Sequence, residues 1–184
     1  MRRPLDPIVA GALILASLLA GCGSTAAKIV SIDFISPAVP TTGKLPTLYT
    51  CAGRNAPLPL EWGAVPANTA ELVVFALGLT PTPSGSSEIS VLWAAAGLKP
   101  TLHRIVAGDP PPGARVGLNN AGNTRFSLCP AKGTSHRYLF VLYSLPTHAS
   151  AQQGFQGIEL LGHITSNLPR PSGRGEFAVE YERA

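Results

Sequence analysis

Two side chains that could take part in chemistry, His136 and Tyr138, lie two positions apart in the segment Cys129–Leu145. In a β-strand such a spacing puts both side chains on one face, just past a loop that contains Pro130 and Gly133. An imidazole and a phenol side by side could hold a small polar ligand by hydrogen bonding. They could also be core residues whose polar atoms are satisfied by the backbone.

The residues that follow the loop predict the strand that would position this pair. One face of the predicted strand is apolar beyond His136 and Tyr138, and the opposite face is also largely apolar. The first set is His136, Tyr138, Phe140 and Leu142, and the second is Arg137, Leu139, Val141, Tyr143 and Leu145. A strand that is apolar on both faces is covered on both sides, so we expect it near the middle of a sheet.

The rest of the chain predicts a mainly β protein with one short helix near the C-terminus. Residues 30–34 and 177–181 alternate between apolar and polar side chains, while residues 71–77 and 89–96 are apolar runs. Residues 98–117 contain three consecutive prolines and are predicted to be a surface loop. Residues 150–167 have helical spacing, with Phe155, Ile158, Leu161 and Thr165 on one side and Pro169 beyond the end.

The N-terminus is typical of an exported lipoprotein. Arg2 and Arg3 precede an apolar stretch, residues 8–20, which is too short to span a membrane. The following Leu-Ala-Gly-Cys22 resembles a bacterial lipobox, in which the cysteine is acylated and becomes the first residue of the mature protein. We therefore expect a signal peptide at 1–21, a lipidated tether at 22–29 and one domain at 30–184. The domain would lie on the extracytoplasmic side of the cell envelope, anchored to a membrane through Cys22.

Charge and cysteine content narrow the functional classes. Removal of residues 1–21 lowers the formal net charge from +4 to +3, and the basic residues are scattered, so we expect no nucleic-acid partner. Besides Cys22, the chain has Cys51 and Cys129, which we expect to form a disulfide in an exported protein. Neither has a second cysteine or a histidine at zinc-ligand spacing. We expect no metal and no cofactor.

Four groups of residues carry a resemblance to a known family. The groups are Tyr49-Thr-Cys-Ala-Gly53-Arg-Asn55 with Pro57, Pro59 and Trp62; Val65-Pro-Ala-Asn-Thr69; Cys129-Pro130, Gly133-Thr134 and His136-Arg-Tyr138; and Gly162-His163 with a late strand reaching Tyr181. Together they resemble the phosphatidylethanolamine-binding protein family, also called Raf kinase inhibitor-like proteins, in its bacterial branch. The resemblance covers about residues 30–182.

The resemblance implies a β-sandwich with a shallow pocket for phosphate-type headgroups. In the family this pocket is built from an Asp-Pro-Asp-Ala-Pro motif, a Trp/His pair on the next strand, and a His and Tyr that correspond to His136 and Tyr138. Here residues 78–83 read Gly-Leu-Thr-Pro-Thr-Pro, and Leu92, beside Trp93, takes the place of the pocket histidine. The family's Asn-Asp-Phe-Gly stretch remains only as residues 119–122, Asn-Asn-Ala-Gly.

These observations predict weak, noncatalytic binding of phosphate or phospholipid-headgroup anions at His136 and Tyr138, with the loop amides near Gly133 as further donors. With few converging donors, we expect a millimolar affinity, about −4 kcal/mol. Binding should weaken as pH rises, because only the imidazolium offers two donors and a charge. The alternative is a protein-interaction or inhibitor module at the cell envelope whose ligand pocket is non-functional and whose partner is unknown. A hydrolase is disfavoured, since there is no Gly-x-Ser-x-Gly sequence. His103, His148 and His163 have no nearby partner in sequence.

Overall fold

The structure is a computed structural model that describes residues 28–107 and 110–184. The predicted signal peptide, Cys22 and most of the tether lie outside the described residues. Within these, the chain forms strands β1 (Val30–Ser31), β2 (Phe34–Ile35), β3 (Leu60–Trp62), β4 (Glu71–Pro81), β5 (Ser87–Leu98), β6 (Arg104–Ile105), β7 (Arg115–Val116), β8 (Thr134–Leu145) and β9 (Gly173–Arg183). A single α-helix, α1, spans Gly157–Thr165, and a 3₁₀ turn spans Thr47–Tyr49. The prediction of a mainly β fold with one helix is confirmed.

The strands form two sheets. The larger has the order β1-β9-β8-β4-β5-β7, and the smaller has the order β2-β3-β6. In the larger sheet β8 is antiparallel to both of its neighbours, β9 and β4. The strand that carries His136 and Tyr138 is therefore internal, as its two apolar faces predicted.

Three layers explain why both faces of β8 are apolar. One core cluster fills the space between the two sheets and includes Trp62, Trp93 and Phe140. A second cluster lies between the larger sheet and α1, where Phe75 packs edge-to-face on Tyr143. Because β4 and β8 contribute to both clusters, their side chains must be apolar in both directions along most of their length.

Two sequence predictions are corrected in detail. The single first strand predicted for residues 30–34 is divided, because β1 pairs with β9 in the larger sheet whereas β2 pairs with β3 in the smaller one. Helix α1 buries Gly157, Leu160, Leu161 and Ile164, while Ile158, predicted to share one side with Leu161, is 44% exposed.

The predicted loop at 98–117 is also more ordered than expected. It contains β6, which extends the smaller sheet, and β7, which pairs with β5 at the edge of the larger one. Among the described residues, no helix is long and apolar enough to cross a membrane.

Candidate ligand-binding pocket

A cavity of about 490 Å³ opens where β8 begins, β4 ends and β5 begins. His136 and Tyr138 both line it. Their rings are stacked, with centroids 6.4 Å apart and planes inclined by 23°. The period-two prediction that these side chains share one face is thus met by the geometry, and their role in ligand binding stays a prediction.

The two side chains differ in how deeply they lie. Tyr138 is only 3% exposed, whereas His136 is half-buried nearer the mouth of the cavity. Burial, with a smaller contribution from neighbouring Tyr181, raises the pKa of the Tyr138 phenol to about 12. Tyr138 is therefore a neutral hydroxyl at any physiological pH and can donate a hydrogen bond into the cavity.

The cavity floor holds a leucine where the resemblance implies a histidine. Leu92 lies over Gly78, and a Cβ atom added at Gly78 would be 3.3 Å from its nearest methyl carbon. The missing side chain at Gly78 therefore makes the room that Leu92 occupies. Thr80 and Ser90 line the same region, and no aspartate, glutamate, lysine or arginine appears among the described residues of the lining. Within that lining, charge can come only from His136.

One wall of the cavity is formed by Ser127, Cys129 and Pro130, and this wall is attached to residues outside the cavity lining. The structure joins Cys129 to Cys51 by a disulfide, with Cα atoms 5.2 Å apart. Asn55 adds a second fastening, because its side-chain amide donates to the carbonyl of Phe126 at 2.9 Å. The presence of the disulfide in exported protein is a prediction for experiment.

The residues before Asn55 fold into a tight turn that explains their types. Thr50 is fully buried, and its hydroxyl donates to the carbonyl of Thr47 at 2.9 Å. Gly53 lies so close to that turn that an added Cβ atom would be 2.3 Å from the Thr47 carbonyl oxygen. Only glycine fits there. The Thr50, Gly53 and Asn55 positions of the sequence motif thus support the cavity wall without contacting its interior.

A second wall comes from the loop after β7, through Asn119, Asn120 and Ala121. Asn119 is buried, and its side-chain oxygen accepts hydrogen bonds from the amides of Ala121 and Asn123. Asn120 attaches the loop to β5, since its side-chain oxygen accepts from the Val91 amide at 2.7 Å. The side-chain nitrogen of Asn120 makes no such bond to the described residues and is available as a donor. From sequence, this stretch was predicted only as the remnant of a motif.

Three neighbours of the predicted site are not part of it. Lys132 and Arg137 are exposed and do not line the cavity. The amide of Gly133, which we expected to approach an anion, instead donates to the carbonyl of Arg183 at 2.7 Å. The loop therefore supplies shape rather than backbone donors at this glycine.

A separate polar cluster lies at the opposite end of β4. Glu71 is 1% exposed, accepts a hydrogen bond from the Gly97 amide, and lies 3.0 Å from His148 Nδ1 and 3.6 Å from Arg115. A buried carboxylate needs such partners. His148 thus forms a hydrogen bond with Glu71 although its ring is largely exposed, and His103 and His163 are exposed as well. Among the described residues, no group of three or more potential ligands is arranged to hold a metal ion.

Similarity to known proteins agrees with this architecture. Two crystal structures, CT736 from Chlamydia trachomatis and YbcL from E. coli, each superpose with a TM-score of 0.70 at 24% identity. They cover 84% and 83% of this chain, and 99% of each of their own chains is covered. At this level of identity the likeness establishes the fold.

Sequence relatives cover most of the chain as well. The Mycobacterium tuberculosis protein named Putative lipoprotein LppC is 28% identical over 83% of this chain and 86% of its own length. A UPF0098 protein of Methanothermobacter thermautotrophicus is 31% identical over 66% of this chain and 84% of its own. The family model for phosphatidylethanolamine-binding protein matches residues 35–173. The chain therefore belongs to the phosphatidylethanolamine-binding protein family.

Proposed function

We propose that this protein is an envelope-anchored binding protein that takes phosphate-type anions weakly, without catalysis, in the cavity beside His136 and Tyr138. One observation carries the proposal. The two side chains that match the family's pocket line the same cavity, and no carboxylate lies among the described lining residues to repel an anion. The Tyr138 hydroxyl, held neutral by burial, is available as a donor.

The composition of the cavity explains why binding is weak. Its candidate donors are the Tyr138 hydroxyl, the His136 ring, the Asn120 side-chain amide and the hydroxyls of Ser90 and Ser127. Phosphate sites gain much of their affinity from charge-assisted hydrogen bonds and from converging backbone amides. Among the described lining residues, the only charge available is that of a protonated His136. An affinity in the millimolar range, about −4 kcal/mol, follows from so few strong donors.

The anchoring part of the proposal rests on the sequence before the fold. Arg2, Arg3 and a short apolar stretch precede Leu-Ala-Gly-Cys22, and the first described residue is Lys28. The name of the mycobacterial relative, Putative lipoprotein LppC, supports the same interpretation. Acylation of Cys22 would hold the domain close to a membrane surface on the extracytoplasmic side.

A second candidate is a protein-interaction or inhibitor module with a non-functional pocket. Leu92 favours it, because this side chain occupies space over Gly78 in which the resemblance places a polar group. Under this alternative the cavity is inert and the outer surface binds the partner.

An NMR titration separates the two. Phosphoethanolamine and inorganic phosphate are added to the soluble fragment beginning at residue 23, as wild type and as His136→Ala, at pH 6 and pH 8. His163→Ala, which removes an exposed histidine from α1, is the matched control. We expect millimolar binding with shifts centred on Tyr138, stronger at pH 6, and lost in His136→Ala only. Absence of shifts near the cavity at high ligand concentration would favour the interaction module, and binding unchanged in His136→Ala would place the site elsewhere.

Anchoring is tested by expression of the full chain in a bacterium that processes lipoproteins. The wild-type protein should partition into detergent and gain acyl mass, and Cys22→Ser should do neither. Equal partitioning and unmodified mass in both forms would refute acylation.

A further inference from the structure

Three large apolar side chains are exposed within seven residues at the start of the described chain. Ile29, Val30 and Ile35 are 37%, 49% and 55% exposed, respectively. They lie at two sheet edges, since β1 is the outermost strand of the larger sheet and β2 is the outermost strand of the smaller one. We refer to Ile29, Val30 and Ile35 as the N-terminal apolar patch. Exposed apolar residues that cluster in this way mark contact surfaces.

Two grooves flank this patch. One, of about 560 Å³, lies between β1, β2 and the start of β9, and the other, of about 410 Å³, runs along the outer face of the smaller sheet. Because Ile35 and Asp33 line both grooves, the two grooves form one continuous surface. Apart from His103, the charges of the groove linings nearly balance. The linings contain three acidic residues, Asp33, Glu61 and Glu176, and two basic residues, Arg104 and Arg174. Contact with this surface would not depend on an anionic partner.

The patch and the cavity lie at opposite ends of the larger sheet. Val30 pairs with Gly173 of β9, and Gly173 pairs with Ser144 near the end of β8. His136 lies eight residues earlier in β8. At about 3.4 Å per residue, this separation is about 27 Å along the strand.

The chain between Cys22 and the first described residue is shorter than the distance between the patch and the cavity. Residues 22 to 28 span at most about 22 Å when fully extended, at no more than about 3.6 Å per residue. An acyl group on Cys22 would therefore keep residues 28–35 close to the bilayer. The cavity would be brought to the same surface only if the domain lay on its side or inverted against its tether.

We infer that the N-terminal apolar patch docks on the bilayer that holds the anchor, and that the cavity consequently faces the aqueous phase. This inference rests on the proposed acylation of Cys22. The partner of this surface is a lipid bilayer for two reasons. The short tether would hold residues 28–35 near the bilayer, and exposed apolar side chains can insert into its interfacial region. The ligand of the cavity then comes from solution and not from headgroups of the anchoring leaflet.

Fluorescence quenching tests this orientation in the acylated protein reconstituted into phosphatidylcholine vesicles with brominated acyl chains. Ile35→Trp introduces a reporter in the patch. Ile89→Trp is its matched control, because Ile89 is 45% exposed and pairs with Leu79 at the cavity end of the sheet. Native Trp62 and Trp93 are buried, and their signal is subtracted using the wild-type protein. We expect the added emission to be quenched and blue-shifted in Ile35→Trp and unchanged in Ile89→Trp.

The outcomes separate orientation from anchoring. Flotation of the wild-type protein with the vesicles reports anchoring, and its failure would overturn both the anchoring and the docking. Flotation without quenching of Ile35→Trp, or with equal quenching of Ile89→Trp, would overturn the docking alone. In vesicles that contain phosphatidylethanolamine we expect the same pattern. Quenching of Ile89→Trp that occurs only in those vesicles would show that headgroups of the anchoring leaflet reach the cavity, and would refute a solution ligand.

Discussion

Replacement of Tyr138 by phenylalanine separates ligand binding from stability. Tyr138 packs in the core cluster between the two sheets and also lines the cavity. Tyr138→Phe keeps the packing and removes only the hydroxyl. Since a hydrogen bond to a charged acceptor contributes about 1.5–3 kcal/mol, we expect phosphate binding to weaken by a factor of about 10 or more. Unfolding by urea at pH 7 should show a free energy changed by less than about 0.5 kcal/mol, because no folded-state partner among the described residues is lost.

The same variant should change the response to alkali. The pKa of Tyr138 is about 12 in the folded protein, against an ordinary value of 10.0 for an exposed tyrosine. Between these values the unfolded chain has released the proton and the folded chain retains it, so stability falls as pH rises. The slope from this one group is at most about 1.4 kcal/mol per pH unit. Wild-type protein should lose more stability than Tyr138→Phe between pH 10 and pH 12, and equal losses would refute the assignment of a buried, neutral phenol.

Tyr143→Phe is the matched control for ligand binding. Tyr143 lies on the opposite face of β8, packs against Phe75, and does not line the cavity. Removal of the Tyr143 hydroxyl should leave phosphate binding unchanged in the same NMR titration. If Tyr143→Phe weakened binding as much as Tyr138→Phe, the effect would come from the strand and not from the hydroxyl.

Three other sets of substitutions test the support and the floor of the cavity. Gly53→Ala should destabilise the fold by about 2 kcal/mol or more in urea unfolding, since its Cβ would collide with a carbonyl oxygen. Gly162→Ala, at an exposed helical position with open space around it, should instead stabilise the fold by about 0.5–1 kcal/mol. Equal effects of the two glycine substitutions on the free energy of unfolding would contradict this explanation. Exported protein should contain no free thiol at Cys51 or Cys129 by mass spectrometry, and replacing both by alanine should cost about 4 kcal/mol. Leu92→His should strengthen phosphate binding at pH 6 by adding a donor to the cavity floor, and an unchanged affinity would show that this position does not reach the ligand.

The elements that sequence predicted well are those with a strong local signal. The long apolar strands β4, β5 and β8 were predicted because apolar side chains on both faces are typical of strands covered on both sides. The division of the first strand was not predicted, since alternation does not reveal which sheet accepts each half. The helix face was misjudged because Gly157 is buried: an added Cβ atom would lie 2.7 Å from the Leu118 carbonyl oxygen, and a glycine contributes nothing to an apolar pattern.

The candidate site was predictable to a similar extent. Period-two geometry placed His136 beside Tyr138, and both line the cavity. The contributions of Asn120 and Ser127 depend on loops that approach from other parts of the chain, which no local pattern encodes. The expected role of the Gly133 amide was wrong, because its hydrogen bond to Arg183 is made between the ends of β8 and β9 and depends on their register.

The most direct test of the central claim is a crystal structure of the soluble fragment soaked with phosphate or phosphoethanolamine well above millimolar concentration. The proposal predicts tetrahedral density in the cavity, with an anion oxygen within hydrogen-bond distance of the Tyr138 hydroxyl and of a ring nitrogen of His136. An empty cavity in a well-ordered crystal, or density bound only at another surface, would contradict it.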